Sequence, residues 1–310
     1  MKKAWFALAL LSACGGVPDE STPPPGFTPD PADEIFDPLD PPTNPDPDDP
    51  DDDIATGVAE GALEVSQCPK RSQKLSPKGL TFVIHVSKHY GAQTAKQLKQ
   101  VSHLLRARDI FMIERNDEAV DALRKAFPCN AIHYIAYPDE IDNGLSLGKW
   151  VDAIAIDWET KTFTHSQSWS VDKLSIHADK IRKHGKQPSV VPYWPDSFND
   201  GHIVQKADLA YELAQIQNQC VVSASAFATA AKGLLQNFKQ NGLTARDIGF
   251  EISLNSFSYA DNHTGVDRSA ACTRTAYGKG ARAIYLYGNG HPHLVDYFQK
   301  LKKLGLRTPK

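Results

Sequence analysis

The chain of 310 residues is 41% apolar, 23% charged and 9% aromatic, which is enough to bury a full core and excludes both a wholly disordered chain and a disulfide-stapled miniprotein. Its formal charge of −3 averages two unlike parts. Residues 15–60 hold 14 acids and no Lys or Arg, leaving 32 bases against 23 acids after residue 60, so the part able to fold carries +9.

The amino end reads as a secretion signal: Met1, Lys2 and Lys3 are a positive start, Ala4 to Leu11 an apolar run, and Ser12, Ala13 and Cys14 a small-residue exit. The run is too short to cross a bilayer as a mature helix, which takes about 20 apolar residues. Leu11, Ser12, Ala13 and Cys14 resemble the bacterial lipobox, which implies removal of residues 1–13 and a lipidated Cys14 that anchors the chain to the cell envelope. Gly15 is not the Asp that commonly retains lipoproteins at the inner membrane, so the expected address in a two-membrane host is the outer one. Residues 15–60 also hold 12 of the 21 prolines. Such a segment cannot offset its ordering entropy by burial, so 14–60 is expected to be a disordered tether. At about 3.1 Å per residue it reaches on the order of 100 Å. Asp46 to Asp53 lack the glycine turn and terminal Glu of a calcium loop and read as solvated spacer.

Residues 61–310 are expected to form one domain. Its cysteines are Cys68, Cys129, Cys220 and Cys272, an even number for an oxidising compartment, with three pairings open. No CxxC or CxxH spacing suggests structural zinc. Short runs rich in Val, Ile, Phe and Tyr predict strands at Leu80–Val86, Asp109–Ile113, Ala131–Tyr137, Asp152–Asp157, Ser189–Tyr193, Leu213–Gln217, Ile248–Leu254 and Ala283–Tyr287. Helical periodicity falls between them at Ala92–Ala107, Glu118–Phe127, Val171–His184, Ala224–Asn241 and Arg268–Gly278, and after the last at Pro292–Leu304. The gaps before Asp152 and Leu213 show no long helix. Eight strands in this length predict a (β/α)8 barrel of the TIM type. An open doubly wound sheet is the competing arrangement, disfavoured because no GxGxxG loop follows the first strand. A barrel puts chemistry at the carboxyl ends of its strands.

The fourth strand carries the sharpest signal. Along Asp152-Ala-Ile-Ala-Ile-Asp157-Trp-Glu159, alternation puts Ala153, Ala155, Asp157 and Glu159 on one face and Ile154, Ile156 and Trp158 on the other. Two acids two residues apart on one face perturb each other, raising one pKa and equipping it as a proton donor. The segment resembles the DxxDxDxE motif of the chitinase-like family 18 glycoside hydrolases, with Asp152, Asp157 and Glu159 on three of its four acidic positions. The resemblance implies that Glu159 is the general acid, that Asp157 orients the N-acetyl group of the substrate, and that the substrate is an N-acetylated polysaccharide or peptidoglycan-type glycan. It departs at Ala155, where the family has its middle Asp, and at the third strand, which lacks SxGG.

Glu251 on the seventh strand is a possible second carboxylate: a retaining glycosidase places its two acids about 5 Å apart, often on strands four and seven. Tyr137, Tyr193, Trp194, Tyr285 and Tyr287, at or near strand ends, suit stacking on sugar faces. Gln217, Asn218, Asn255 and Asn289 could hydrogen-bond sugar hydroxyls. His85, His89, Glu114 and His133 are the groups a metal-dependent hydrolase would use, but their spacing fits no familiar ligand pattern. The leading reading therefore needs no cofactor and no metal. The bases are spread over helices (Arg182, Lys183, Lys186, Lys302, Lys303) rather than interleaved with stacking aromatics, so no nucleic-acid partner is expected. The first alternative to an anchored glycosidase is a noncatalytic carbohydrate-binding or surface-interaction lipoprotein on the same barrel, and the second is a metal-dependent hydrolase.

Overall fold

The computed structural model of the protein describes residues 68, 71–76, 79–87, 91–114, 117–158, 171–192, 201–254, 265–287 and 293–309. In chain order these form β1 (Thr81–Val86), α1 (Gly91–Gln100), β2 (Ile110–Glu114), α2 (Asp117–Ala126), β3 (Ala131–Ala136), α3 (Ile141–Ser146), β4 (Ala153–Trp158), α4 (Val171–Lys183), β5 (Gln187–Pro192), α5 (Gly201–Lys206), β6 (Glu212–Ala214), α6 (Gln217–Val222), α7 (Ala224–Gln240), β7 (Ile248–Ser253), α8 (Gly265–Gly278), β8 (Ala283–Tyr287) and α9 (Leu294–Lys303). Each strand pairs in parallel with the next, and β8 pairs with β1, so the sheet closes into a (β/α)8 barrel. The open sheet is thereby excluded. No helix among the described residues is long and apolar enough to cross a membrane.

Alternation along the strands makes two cores. Phe82, Ile84, Phe111, Ile113, Ile154, Ile156, Phe250, Ile252, Ile284 and Leu286 face the helices in one continuous cluster. Val83, Ile110, Met112, Ile135, Ala155, Val191, Leu213, Ala283 and Tyr285 fill the inside. The helices present one buried stripe each to the outer core, as in α7, where Phe227, Ala231, Leu234 and Phe238 are buried. Ser223 caps α7, its Oγ accepting from Ala226 N at 2.9 Å. Gly185 and Gly242, at φ 74°, let the chain leave α4 and α7 in the left-handed region.

The two gaps without a long helix hold the short α3 and α5, and two expected elements change in extent. The expected first helix, Ala92–Ala107, ends at Gln100 and continues as a 3-10 turn at Ser102–Leu104. There the Asp109 carboxylate accepts from both Arg106 N and Phe82 N, drawing the chain into β2. The expected sixth strand, Leu213–Gln217, is Glu212–Ala214; a bond from Ile216 N to Ala214 O turns the chain, and Gln217 opens α6.

The amino end of the barrel is closed. Leu75 enters the inner cluster, Gln73 Oε1 accepts from Gln187 N at 3.0 Å, and a Cys68–Cys129 disulfide staples this segment to the turn before β3. The second disulfide, Cys220–Cys272, joins α6 to α8. Arg307, 2% exposed, reaches back to Asp109 at 2.6 Å and stacks over Phe82, 4.6 Å from its centroid. Burial lowers its pKa to about 10 despite the neighbouring Asp109 charge, and the guanidinium remains cationic at neutral pH.

Candidate functional site at the carboxyl-end mouth

Because β1, β2, β4, β7 and β8 each turn alternate side chains inward, their last inward positions meet at one rim. These are His85, Glu114, Asp157, Ser253 and Tyr287, with Glu251 and Tyr285 one layer deeper. Glu251 is in register with Tyr285 and Ser253 with Tyr287. His85 Nε2 lies 3.5 Å from Glu114 Oε2, and the His85 ring lies 4.8 Å from Tyr287 and edge-on to Tyr285 at 6.2 Å. His85, Glu251 and Tyr285 are buried, whereas Glu114, Asp157, Ser253 and Tyr287 are half-buried and form the open layer.

Tyr285 lies at the centre of this group. Burial, followed by electrostatic coupling to Glu251, Tyr287, Asp157 and Glu114, pushes its phenol well above the ordinary tyrosine value, so it stays protonated. Its hydroxyl is buried with no hydrogen-bond partner among the described residues. An unpaired buried hydroxyl costs about 1–3 kcal/mol, which makes this layer a place where a polar group from outside would be stabilised.

The opposite end of the same strands does structural work. Asp152, on the first acidic position of the strand-four motif, lies just before β4 at the amino end. It bonds Arg71 Nε at 3.0 Å, Arg124 and the Ile132 N–H. Burial pushes its carboxyl up, but Arg124, the Ile132 N–H and Arg71 together hold it below its ordinary value. His133, weighed with His85 and Glu114 as a metal group, is fully buried near this end. Its Nε2 donates to Ser72 O at 3.1 Å, so its Nδ1 accepts from the Tyr211 hydroxyl at 2.5 Å. Both nitrogens are taken, and His133 cannot join His85 and Glu114 at the rim. Among the described residues no group of three His, Cys, Asp or Glu side chains converges on an ion-sized point.

Of the remaining residues singled out from sequence, Tyr137 follows β3, half-buried, on the parity of the inward His133 and Ile135. Gln217 is not on a strand end: it starts α6, and its Oε1 is buried without a partner among the described residues. Ala155 is part of the inner wall, fully buried with Met112, Ile135 and Val191. Glu159, Tyr193, Trp194, Asn255, Asn289, His89 and Cys14 lie outside the described residues. Sequence reading passed over Ser253 and Tyr211. Strand parity alone would have put both inside, since Ser253 is two residues beyond Glu251 and Tyr211 two before the inward Leu213.

Fold and rim together define a (β/α)8 barrel with a carboxylate- and tyrosine-lined mouth. No family model matches the chain, and no curated protein matches it. Among solved structures it is similar to a GH18 chitinase from Pseudoalteromonas aurantia, at 10% identity and a TM-score of 0.51, covering 73% of this chain and 100% of that one. It is also similar to the catalytic domain of a hyperthermophilic chitinase from Pyrococcus furiosus (10% identity, TM-score 0.49, 70% and 86% covered). The HMG-CoA lyase from Brucella melitensis matches to the same degree (10% identity, TM-score 0.48, 73% and 92% covered). At such identities the likeness is one of fold, which enzymes of unrelated chemistry share.

Proposed function

We propose that the carboxyl-end mouth binds a glycan and hydrolyses it, with Glu159 as proton donor and Asp157 as its helper. The observation that carries this reading is Asp157 itself. It is the penultimate residue of β4, half-buried and on the inward parity, and it acts electrostatically on Tyr285 from across the barrel. That is the placement a barrel glycosidase needs on its fourth strand, and in this reading Glu159, two residues on in the sequence, is the acid that acts with it. Tyr287, a half-buried ring with a polar tip, suits a sugar face. The similar structure from Pseudoalteromonas aurantia is a GH18 chitinase, which agrees with this chemistry. In the same reading Cys14 carries lipid and the acidic, Pro-rich segment that follows holds the barrel away from the envelope surface.

Hydrolysis of a panel of chitooligosaccharides, their deacetylated counterparts and peptidoglycan by the wild type, Glu159→Gln and Asp157→Asn tests it. Loss of turnover with retained binding in Glu159→Gln is expected. Unchanged turnover in that variant would remove Glu159 from the mechanism.

One observation favours a second reading, in which the barrel binds a glycan without cleaving it. Ala155, where chitinase-like enzymes have an acid, is packed in the inner wall, so the carboxylate that would relay charge to Asp157 is missing. Binding without turnover by both wild type and Glu159→Gln is the outcome that selects it.

A further inference from the structure

The inward strand positions of this barrel have an unexpected charge. The folded part of the chain is basic, with 32 bases against 23 acids after residue 60. Yet the inward residues in the upper half of the described strands include Glu114, Asp157 and Glu251, a single His85, and no Lys or Arg. These described inward positions are acidic against the trend of the domain around them. Beneath the mouth the Tyr285 hydroxyl is fully buried and has no hydrogen-bond partner among the described residues.

Resting on the glycan reading above, we infer that the mouth selects an amino sugar carrying a free ammonium group, so that the substrate class is a de-N-acetylated hexosamine polymer rather than a fully N-acetylated one. Ionised carboxylates only accept hydrogen bonds, and an ammonium group only donates them, three at a time. An acetamide offers one N–H, and its carbonyl oxygen is an acceptor that a carboxylate wall repels. Tyr285, protonated and without a partner among the described residues, can take an ammonium N–H on its oxygen, and Glu251 is in register beside it. A single metal ion is a poorer occupant, because the described carboxylates and imidazoles do not converge in threes; an extended ligand with several N–H and O–H donors meets them where they stand.

The test is calorimetric binding of two oligomers of equal length, one of β-1,4-linked glucosamine and one of N-acetylglucosamine. Both are titrated at about pH 6, below the ordinary range of an aliphatic amine, into the full chain carrying Glu159→Gln to prevent turnover. The glucosamine oligomer is expected to bind about ten-fold tighter, the scale of one charge-assisted hydrogen bond, with a preference that shrinks as salt rises. Adding Tyr285→Phe, with melting temperature checked against the parent, is expected to remove most of that preference and leave the N-acetylated oligomer little changed. Equal or tighter binding of the N-acetylated oligomer overturns the inference and leaves the glycan reading standing. Failure of both oligomers to bind overturns the two together. Binding that needs added calcium and is abolished by chelator overturns the ammonium assignment in favour of an ion.

Discussion

His133 makes the stability of this barrel depend on pH in a window of its own. Burial drives its pKa down from 6.5 to about 4, against smaller opposing effects of the Ser72 carbonyl and Asp152. The folded state therefore holds it neutral while the unfolded chain takes up a proton near 6.5. For a group whose folded pKa is depressed, the stabilisation is complete above pH 6.5 and is lost as pH falls from 6.5 towards 4. A shift of this size corresponds to about 3 kcal/mol at most, at 1.36 kcal/mol per unit. For a domain of this size that is a drop of roughly 6–12 °C in melting temperature. The assay is urea denaturation at a series of pH values for the wild type and for His133→Gln, which cannot titrate there. The wild type should lose up to about 3 kcal/mol more than the variant between pH 7 and pH 4. His177, also lowered by burial but partly exposed, is common to both and cancels in the difference. Asp152 acts below this window, because its depressed pKa brings its loss only as pH falls through 3.8. Parallel curves for the two proteins would refute the argument that an uncharged His133 is a condition of the fold.

Other perturbations have equally definite outcomes. Replacing Cys68 and Cys129 by Ser opens a cross-link spanning 61 residues and should cost about 2–4 kcal/mol; an unchanged denaturation midpoint would mean that the Leu75 segment is held by its packing alone. Arg307→Met removes the charged partner of an Asp109 that is fully buried, with an expected loss of about 3–5 kcal/mol by urea denaturation. Gly144→Ala would put a Cβ 2.7 Å from Tyr134 Cδ1 and 2.8 Å from Ile154 Cδ1, an overpacking worth about 1–3 kcal/mol by thermal melting, whereas Gly233→Ala meets nothing within 4 Å and should stabilise α7 by roughly 0.5–1 kcal/mol.

Much of the barrel could be read along the chain because its strands are bounded by local rules. A β-branched run two to three turns of helix away from the next one is a βα unit whatever surrounds it, and alternation alone put Asp157 inward and Ile154, Ile156 and Trp158 outward. The short elements escaped that reading. α3, α5 and α6 have six residues each, too few for a 3.6-residue period to register, and Gln217 was placed on a strand that turns at Ala214 because the turn is made by one backbone bond, from Ile216 N to Ala214 O.

Depth along the barrel axis and partnership across it belong to the tertiary structure. Nothing in the spacing of Asp152 and Asp157 says that the first ends against Arg124 and Arg71 at the closed end while the second stands at the open one. Strand tilt and register decide that, through residues 28 and 81 positions away. The pairing of four cysteines was open until the closed sheet brought Cys68 to Cys129 and Cys220 to Cys272. The clustering of acids at the inward strand positions is of the same kind. Glu114, Asp157 and Glu251 are scattered along a domain that is basic as a whole, and only closure of β8 onto β1 collects them around one buried hydroxyl. A sequence determines which face of each strand a side chain takes, because that is settled by the neighbouring peptide; which side chains then share a site is settled by contacts between strands far apart in the chain.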